Sequence, residues 1–226
     1  MSQPIVTAEE ARVLGCLIEK QLTTPEYYPL TLLSLVAACN QKNNRQPVAG
    51  FDEKTVVRAL DALRELKLAA QVSESGARVP KYRHTAAETL ALDERGLAVL
   101  CELLVRGPQT VGELRNRAER MHPFADLAEV QTLLEELANR PEGGALTAKL
   151  PRQPGMKESR YAHLLCGPLP EAAAGAGPAG APPEPARLAV QTENERLARL
   201  EQELAAQRTE IEALKEQLAQ FRRQFE

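Results

Sequence analysis

Apolar residues along the first 166 positions follow two registers, a helical spacing of three and four and a strand spacing of two, and this succession comes round twice. Thr7 followed by Glu10 forms a capping box, and the stripe Val13, Leu14, Leu17 and Ile18 behind it predicts a first helix. A turn punctuated by Pro25 and Pro29 leads into a second helix over about Thr31 to Asn40. Asp52 caps a third, whose Val56, Leu60 and Leu63 face inward. LAAQV and VPKYRH then read as short strands around the turn SESGA, where Gly76 supplies the positive φ of a hairpin tip.

The second succession is a copy of the first. Gly76, Arg78, Lys81, Tyr82 and His84 return as Gly155, Lys157, Arg160, Tyr161 and His163, and the helix DEKTVVRALDALREL aligns with DLAEVQTLLEELANR. The spacing between copies differs because PEGGA (Pro141 to Ala145) is inserted in the second. Asp93 opens its first helix, Thr110 with Glu113 boxes its second, and Asp126 with Glu129 boxes its third. TAKLPR and SRYAHLL are its strands, joined by QPGMKE. Three helices and a hairpin, repeated, predict a mostly α protein with small β-hairpins (α+β), built as two tandem winged-helix domains over residues 1–84 and 85–166.

Composition then changes abruptly. Residues 167–186 are almost pure Ala, Gly, Pro and Glu and read as a linker without a core. From residue 187 to 226 a heptad takes over: Val190, Leu197, Leu204, Ile211, Leu218 and Phe225 share one core position and Leu200, Leu214 and Phe221 the other. The flanking pairs Arg196 with Glu201, Glu203 with Arg208 and Glu210 with Lys215 are opposite in sign for a parallel pairing. These nine apolar residues therefore predict a C-terminal coiled-coil helix and a parallel homodimer, with mixed Leu and Ile leaving a trimer open and a different partner helix as the alternative.

Lys plus Arg number 28 against 31 Asp plus Glu, a net charge of -3, so no global basic field draws the chain to a polyanion. No basic patch followed by an apolar core opens the sequence and no run is long and apolar enough to span a bilayer, which predicts a cytoplasmic protein with no membrane partner. Cys16, Cys39, Cys101 and Cys166 lack C-x-x-C spacing and read as small apolar residues. No GxxxxGK(S/T), GxGxxG, HExxH or GxSxG occurs, and Tyr82, His84, Tyr161 and His163 read as alternating strand residues, with no nucleophile or ligand set beside them. The expectation is a binding protein without enzyme activity, cofactor or metal.

In a winged helix that binds DNA, the third helix and the wing meet the duplex. Rotation at ~100° per residue puts Lys54, Arg58, Asp61 and Glu65 outward on the first copy's third helix, but Ala128, Thr132, Glu135, Glu136 and Asn139 on the second's. Residues 1–84 hold 11 bases against 9 acids, net +2, whereas residues 85–166 hold 10 against 12, net -2. Phosphate affinity rests on Lys and Arg. The candidate DNA-binding residues are therefore Lys42, Asn43, Asn44 and Arg45 of the loop QKNNR, Lys54 and Arg58 of the helix, and Arg78, Lys81 and Arg83 of the wing and strand. The alternative is a scaffold that docks proteins on its winged helices, the acidic second copy favouring that use.

The segments GCLIEKQLTTPEYYPLTLLSLVAACNQKNNRQPV, RVPKYRH, RGPQTVGELRNRAERM and ESRYAHL resemble the YceH-like family, bacterial proteins of uncharacterised function, over roughly residues 5–166. The resemblance implies tandem winged-helix domains and a bacterial cytoplasmic setting. It implies no substrate, reaction or binding residue.

Overall fold

A computed structural model describes residues 4–72, 79–140, 144–152 and 156–167; the linker beyond 167 and all nine proposed coil residues lie outside the described residues. Among the described residues the chain forms seven α-helices and two small antiparallel sheets, all within one compact unit, Met1–Gly175.

The first half opens with α1 (Ala8–Thr23), started by the Thr7 capping box: Thr7 Oγ1 accepts from Glu10 N at 3.2 Å and Glu10 Oε2 accepts from Thr7 N at 3.0 Å. β1 (Leu30–Thr31) precedes α2 (Leu32–Cys39), and α3 (Glu53–Glu65) starts where Asp52 accepts from Thr55 N at 2.8 Å. β2 (Ala69–Val72) and β3 (Lys81–His84) follow as an antiparallel pair. β1 joins the free edge of β3, with Leu30 opposite Tyr82, to give the strand order β1-β3-β2. A short connecting helix α4 (Ala86–Thr89) is tied down by Thr85 and Thr89, whose hydroxyls both donate to the Lys67 carbonyl.

The second half repeats the order. α5 (Glu94–Arg106) is capped by Asp93, α6 (Val111–Ala118) by the full Thr110–Glu113 box, and α7 (Leu127–Ala138) by Asp126. At α7 the expected reciprocal box is not closed. Asp126 accepts from Glu129 N at 2.9 Å, but the Glu129 carboxylate reaches one residue further back and accepts from Ala125 N at 2.8 Å. β4 (Thr147–Lys149) pairs with β5 (Tyr161–His163), shorter than the strands read from the sequence. The position of β1 is taken here by a single bridge, Gln109 to Tyr161, the equivalent of Leu30 to Tyr82.

One core runs through both halves. Val56, Leu60 and Leu63 of α3 and Val130, Leu134 and Leu137 of α7 are buried as their spacing required, and burying each such side chain contributes about 1.5–3 kcal/mol. α1 goes further: every residue from Ala11 to Glu19 is buried. The cause is α5, the other half's first helix, which packs across it and buries all of its own residues from Gly96 to Val105. Contact is close at Gly15, where a Cβ would lie 2.7 Å from Val105 Cγ1 and 3.0 Å from Leu104 Cβ, and Cys101 Sγ donates to the Gly15 carbonyl at 3.3 Å. Cys16, Cys39 and Cys101 are buried, as small apolar residues should be; Cys166 is exposed.

Candidate nucleic-acid interface

The outward face of α3 is as the helical rotation predicts: Lys54, Arg58, Asp61 and Glu65 are exposed, and Val57 lies among them at 36%. Asp61 is engaged by Arg64 at 3.2 Å, which leaves the cations nearer the N-terminus of the helix. The equivalent face of α7 exposes Thr132, Glu135, Glu136 and Asn139. The two third helices thus differ in charge at corresponding sites.

β3 carries Lys81 and Arg83 half-buried, Arg83 within 3.6 Å of Glu88, while Arg78 lies outside the described residues. The QKNNR loop divides. Lys42 and Asn43 are exposed, and Asn44, at φ 60°, an angle asparagine tolerates, accepts from Arg106 Nη2. Arg45 turns inward and corrects its reading as a phosphate contact. Its Nε donates to the Ala38 carbonyl at 3.1 Å, Nη1 to Glu19 Oε1 at 3.2 Å and to the Asn44 carbonyl at 2.8 Å, and Nη2 to Glu19 Oε2 and to Gln41 Oε1. Its side chain is fully enclosed, so this last charge of QKNNR organises the loop itself.

The pair continues as a chain of charges that the sequence reading missed. Arg120 Nη2 donates to Glu19 Oε1 at 2.6 Å and to Glu102 Oε1 at 3.1 Å, and Glu102 Oε2 lies 2.8 Å from Arg106 Nε. Burial alone would raise the Glu19 carboxyl, but Arg45 and then Arg120 outweigh it and hold it below the usual carboxylate range. The run RNRAER, with Arg115, Arg117 and Arg120 one turn apart or less, was the signal available.

The paired histidines sit in enclosed strand positions. Burial, followed by smaller opposed effects of Glu88 and Arg83, pushes His84 down to about 4; its Nδ1 accepts from Ala86 N at 3.3 Å, and Tyr28 Oη accepts from His84 N at 2.6 Å. Burial likewise lowers His163 to about 4. Both are neutral in the folded protein above that pH, whereas unfolded histidine takes a proton near pH 6.5. The unfolded state binds more protons between those limits, so the stabilisation is complete above about pH 6.5 and is lost as pH falls toward about 4. Chemical denaturation of the full chain should show stability falling across that window by on the order of 1–3 kcal/mol per histidine. His84→Asn, which keeps an acceptor for Ala86 N, should flatten that fall. Among the described residues no group of three or more His, Cys, Asp or Glu is placed to hold a metal ion, and no helix is long and apolar enough to cross a membrane.

Comparison with known proteins adds a family. A family model described as "Protein of unknown function, DUF480" matches residues 6–156. A UPF0502 protein of Geobacter sulfurreducens is 58% identical over 217 residues, 96% of each chain, and one of Geobacter metallireducens is 57% identical over 99% of this chain and 100% of its own. A UPF0502 protein of Vibrio parahaemolyticus is 46% identical over 94% of this chain and 96% of its own. The resemblance carried by the segments around Gly15 to Val48 and Gly107 to Met121 is therefore a family relation, and the chain belongs to the DUF480 family of bacterial proteins, whose relatives bear the name UPF0502.

Proposed function

We propose that this chain is a tandem winged-helix protein that associates with double-stranded DNA through its first half, acting by binding and not by catalysis. The observation that carries the reading is the contrast between the two third helices: α3 exposes Lys54 and Arg58 where α7 exposes the uncharged Ala128 and Thr132, and the outward charges of α7, Glu135 and Glu136, are both acidic. The repeated order of three helices and a hairpin supports the fold name, and β1 on the edge of β3 adds the third strand of a winged-helix sheet. Lys42 and Asn43 of the loop, with Lys81 of β3, extend the candidate face, while Arg83 shares its charge with Glu88. Mobility shift at low salt should detect the full chain on duplex DNA, and Lys54→Glu with Arg58→Glu should weaken it by at least about tenfold, since two phosphate contacts become repulsions. Unchanged affinity in that double variant would sink the reading.

The C-terminal heptads are the proposed means of pairing two such proteins, in parallel, so that two faces meet one duplex. Light scattering should then find the full chain dimeric and a chain ended at Gly167 monomeric. Docking of a protein on the second half is the competing use. It is favoured by a pocket of about 420 Å³ beside exposed Leu127, where Val111, Gln131 and Tyr161 also contribute to the walls. A nuclease-insensitive, stoichiometric partner lost on Leu127→Glu would favour it over DNA.

A further inference from the structure

The charge chain joining the two halves holds more positive than negative charge, and it opens to solvent at one end. Arg45, Arg120 and Arg106 are linked through only two carboxylates, Glu19 and Glu102. Arg12, buried nearby, donates to the carbonyls of Cys39 at 3.3 Å and Pro47 at 2.7 Å and adds a further cation. On α6, Arg117 shares Glu113 with Arg160, at 3.3 and 3.2 Å, again two cations to one acid. Surplus positive charge taken from water is costly unless an anion answers it.

The open end is a pocket of about 480 Å³, lined by Asn44, Arg106, Asn116, Arg117, Glu119 and Arg120. Three of its six residues are arginines and two are amides, with one exposed carboxylate, Glu119. Planar guanidinium forks suit a tetrahedral oxyanion bearing two or more charges, and amide N–H groups complete such a shell. The volume exceeds that of a single phosphate and matches small-molecule sites of about 300–1,000 Å³.

We propose that this pocket binds a phosphoryl anion, held by Arg106, Arg117 and Arg120 with Asn44 and Asn116. Its walls come from both halves, Asn44 from the loop after α2 and the rest from α5, α6 and the turn that follows, so an occupant bridges them. The site is built on different residues from the α3 face and stands or falls independently of it.

Pyrophosphate is the probe, titrated into the full chain by calorimetry with melting temperature as a second readout. The expected result is saturable binding of one pyrophosphate per chain and a raised melting temperature. Asn116→Glu, a change at an exposed position of α6, should weaken binding by at least about tenfold while the unliganded protein melts as before; Arg117→Gln should weaken it in the same direction. Absence of saturable binding at millimolar pyrophosphate, or binding in Asn116→Glu equal to that of the unaltered chain, overturns the proposal. A short DNA duplex added in competition separates the sources of the phosphate. Displacement of pyrophosphate, with duplex affinity also reduced by Asn116→Glu, assigns the pocket to a backbone phosphate; undisturbed pyrophosphate assigns it to a free phosphorylated molecule. Lys54→Glu with Arg58→Glu should leave pyrophosphate binding unchanged, so that loss of the α3 reading and loss of this one give different results.

Discussion

Replacing Gly15 with leucine is expected to force the two halves apart and to give a protein that unfolds at much lower denaturant concentration than the parent, with a broadened transition. The site offers no room at the first side-chain atom: a Cβ meets Val105 Cγ1 at 2.7 Å and Leu104 Cβ at 3.0 Å, and both belong to a helix buried along its length. Such packed helices cannot yield by a side-chain rotation alone, because Val105 is β-branched and Leu104 is met at its own Cβ. Gly15→Ala gives a milder and more instructive result. It gains up to about 1 kcal/mol of helix propensity but incurs overpacking of about 1–3 kcal/mol, so it should fall between neutral and modestly destabilised. Leucine adds three more carbons to the same collision and should cost more than 3 kcal/mol. Urea denaturation followed by circular dichroism reads both. A Gly15→Leu protein as stable as the parent would mean that α1 and α5 are not in this contact.

Removing the Glu19 carboxylate should be comparably severe. Glu19 is 1% exposed and is the shared acceptor of Arg45 and Arg120, so Glu19→Ala leaves the fully enclosed Arg45 without a counter-charge and Arg120 with Glu102 alone. Loss of one partner from a buried ion pair costs about 3–5 kcal/mol, which for a chain of this size is a fall in Tm of roughly 6–20 °C. The loop from Gln41 to Gln46 should lose its shape as well, because Arg45 draws together Ala38, Gln41, Asn44 and Glu19. Glu19→Leu combined with Arg45→Met removes both charges of the tightest pair and should be less destabilised than the two single changes summed, since neither is then left alone. Thermal unfolding of the three variants tests this, and simple additivity would contradict it.

What could be read from the sequence was local. Thr7, Asp52, Asp93 and Thr110 announce helix starts because the hydrogen bond that makes a cap reaches only two or three residues along the chain. The inward stripes of α3 and α7 were legible for the same reason, a fixed rotation per residue. β1 was not, because Leu30 and Thr31 are strand only by pairing with Tyr82 and Lys81, fifty residues away. Arg45 and Glu19 also escaped. QKNNR has the composition of a solvated loop, and Glu19 sits beside Lys20 on what a lone amphipathic helix would expose. Their burial comes from the second half closing over α1, and the hint was the small pair Gly15 and Cys16, which a helix presents where another backbone comes close. The arginines of α6 were illegible for a related reason, since RNRAER has the composition of a solvated helix face and the carboxylates that meet Arg120, Glu19 and Glu102, lie far from it along the chain.

Duplex recognition by one half of a near-symmetric pair is tested most directly by a map of backbone amide shifts in the full chain on adding a short DNA duplex at low salt. The predicted result is a set of perturbed amides on α3 from Glu53 to Glu65 and on β3 from Lys81 to His84, with α7 from Leu127 to Ala138 unmoved. Perturbations concentrated on α7, or no perturbation at saturating duplex, would contradict it.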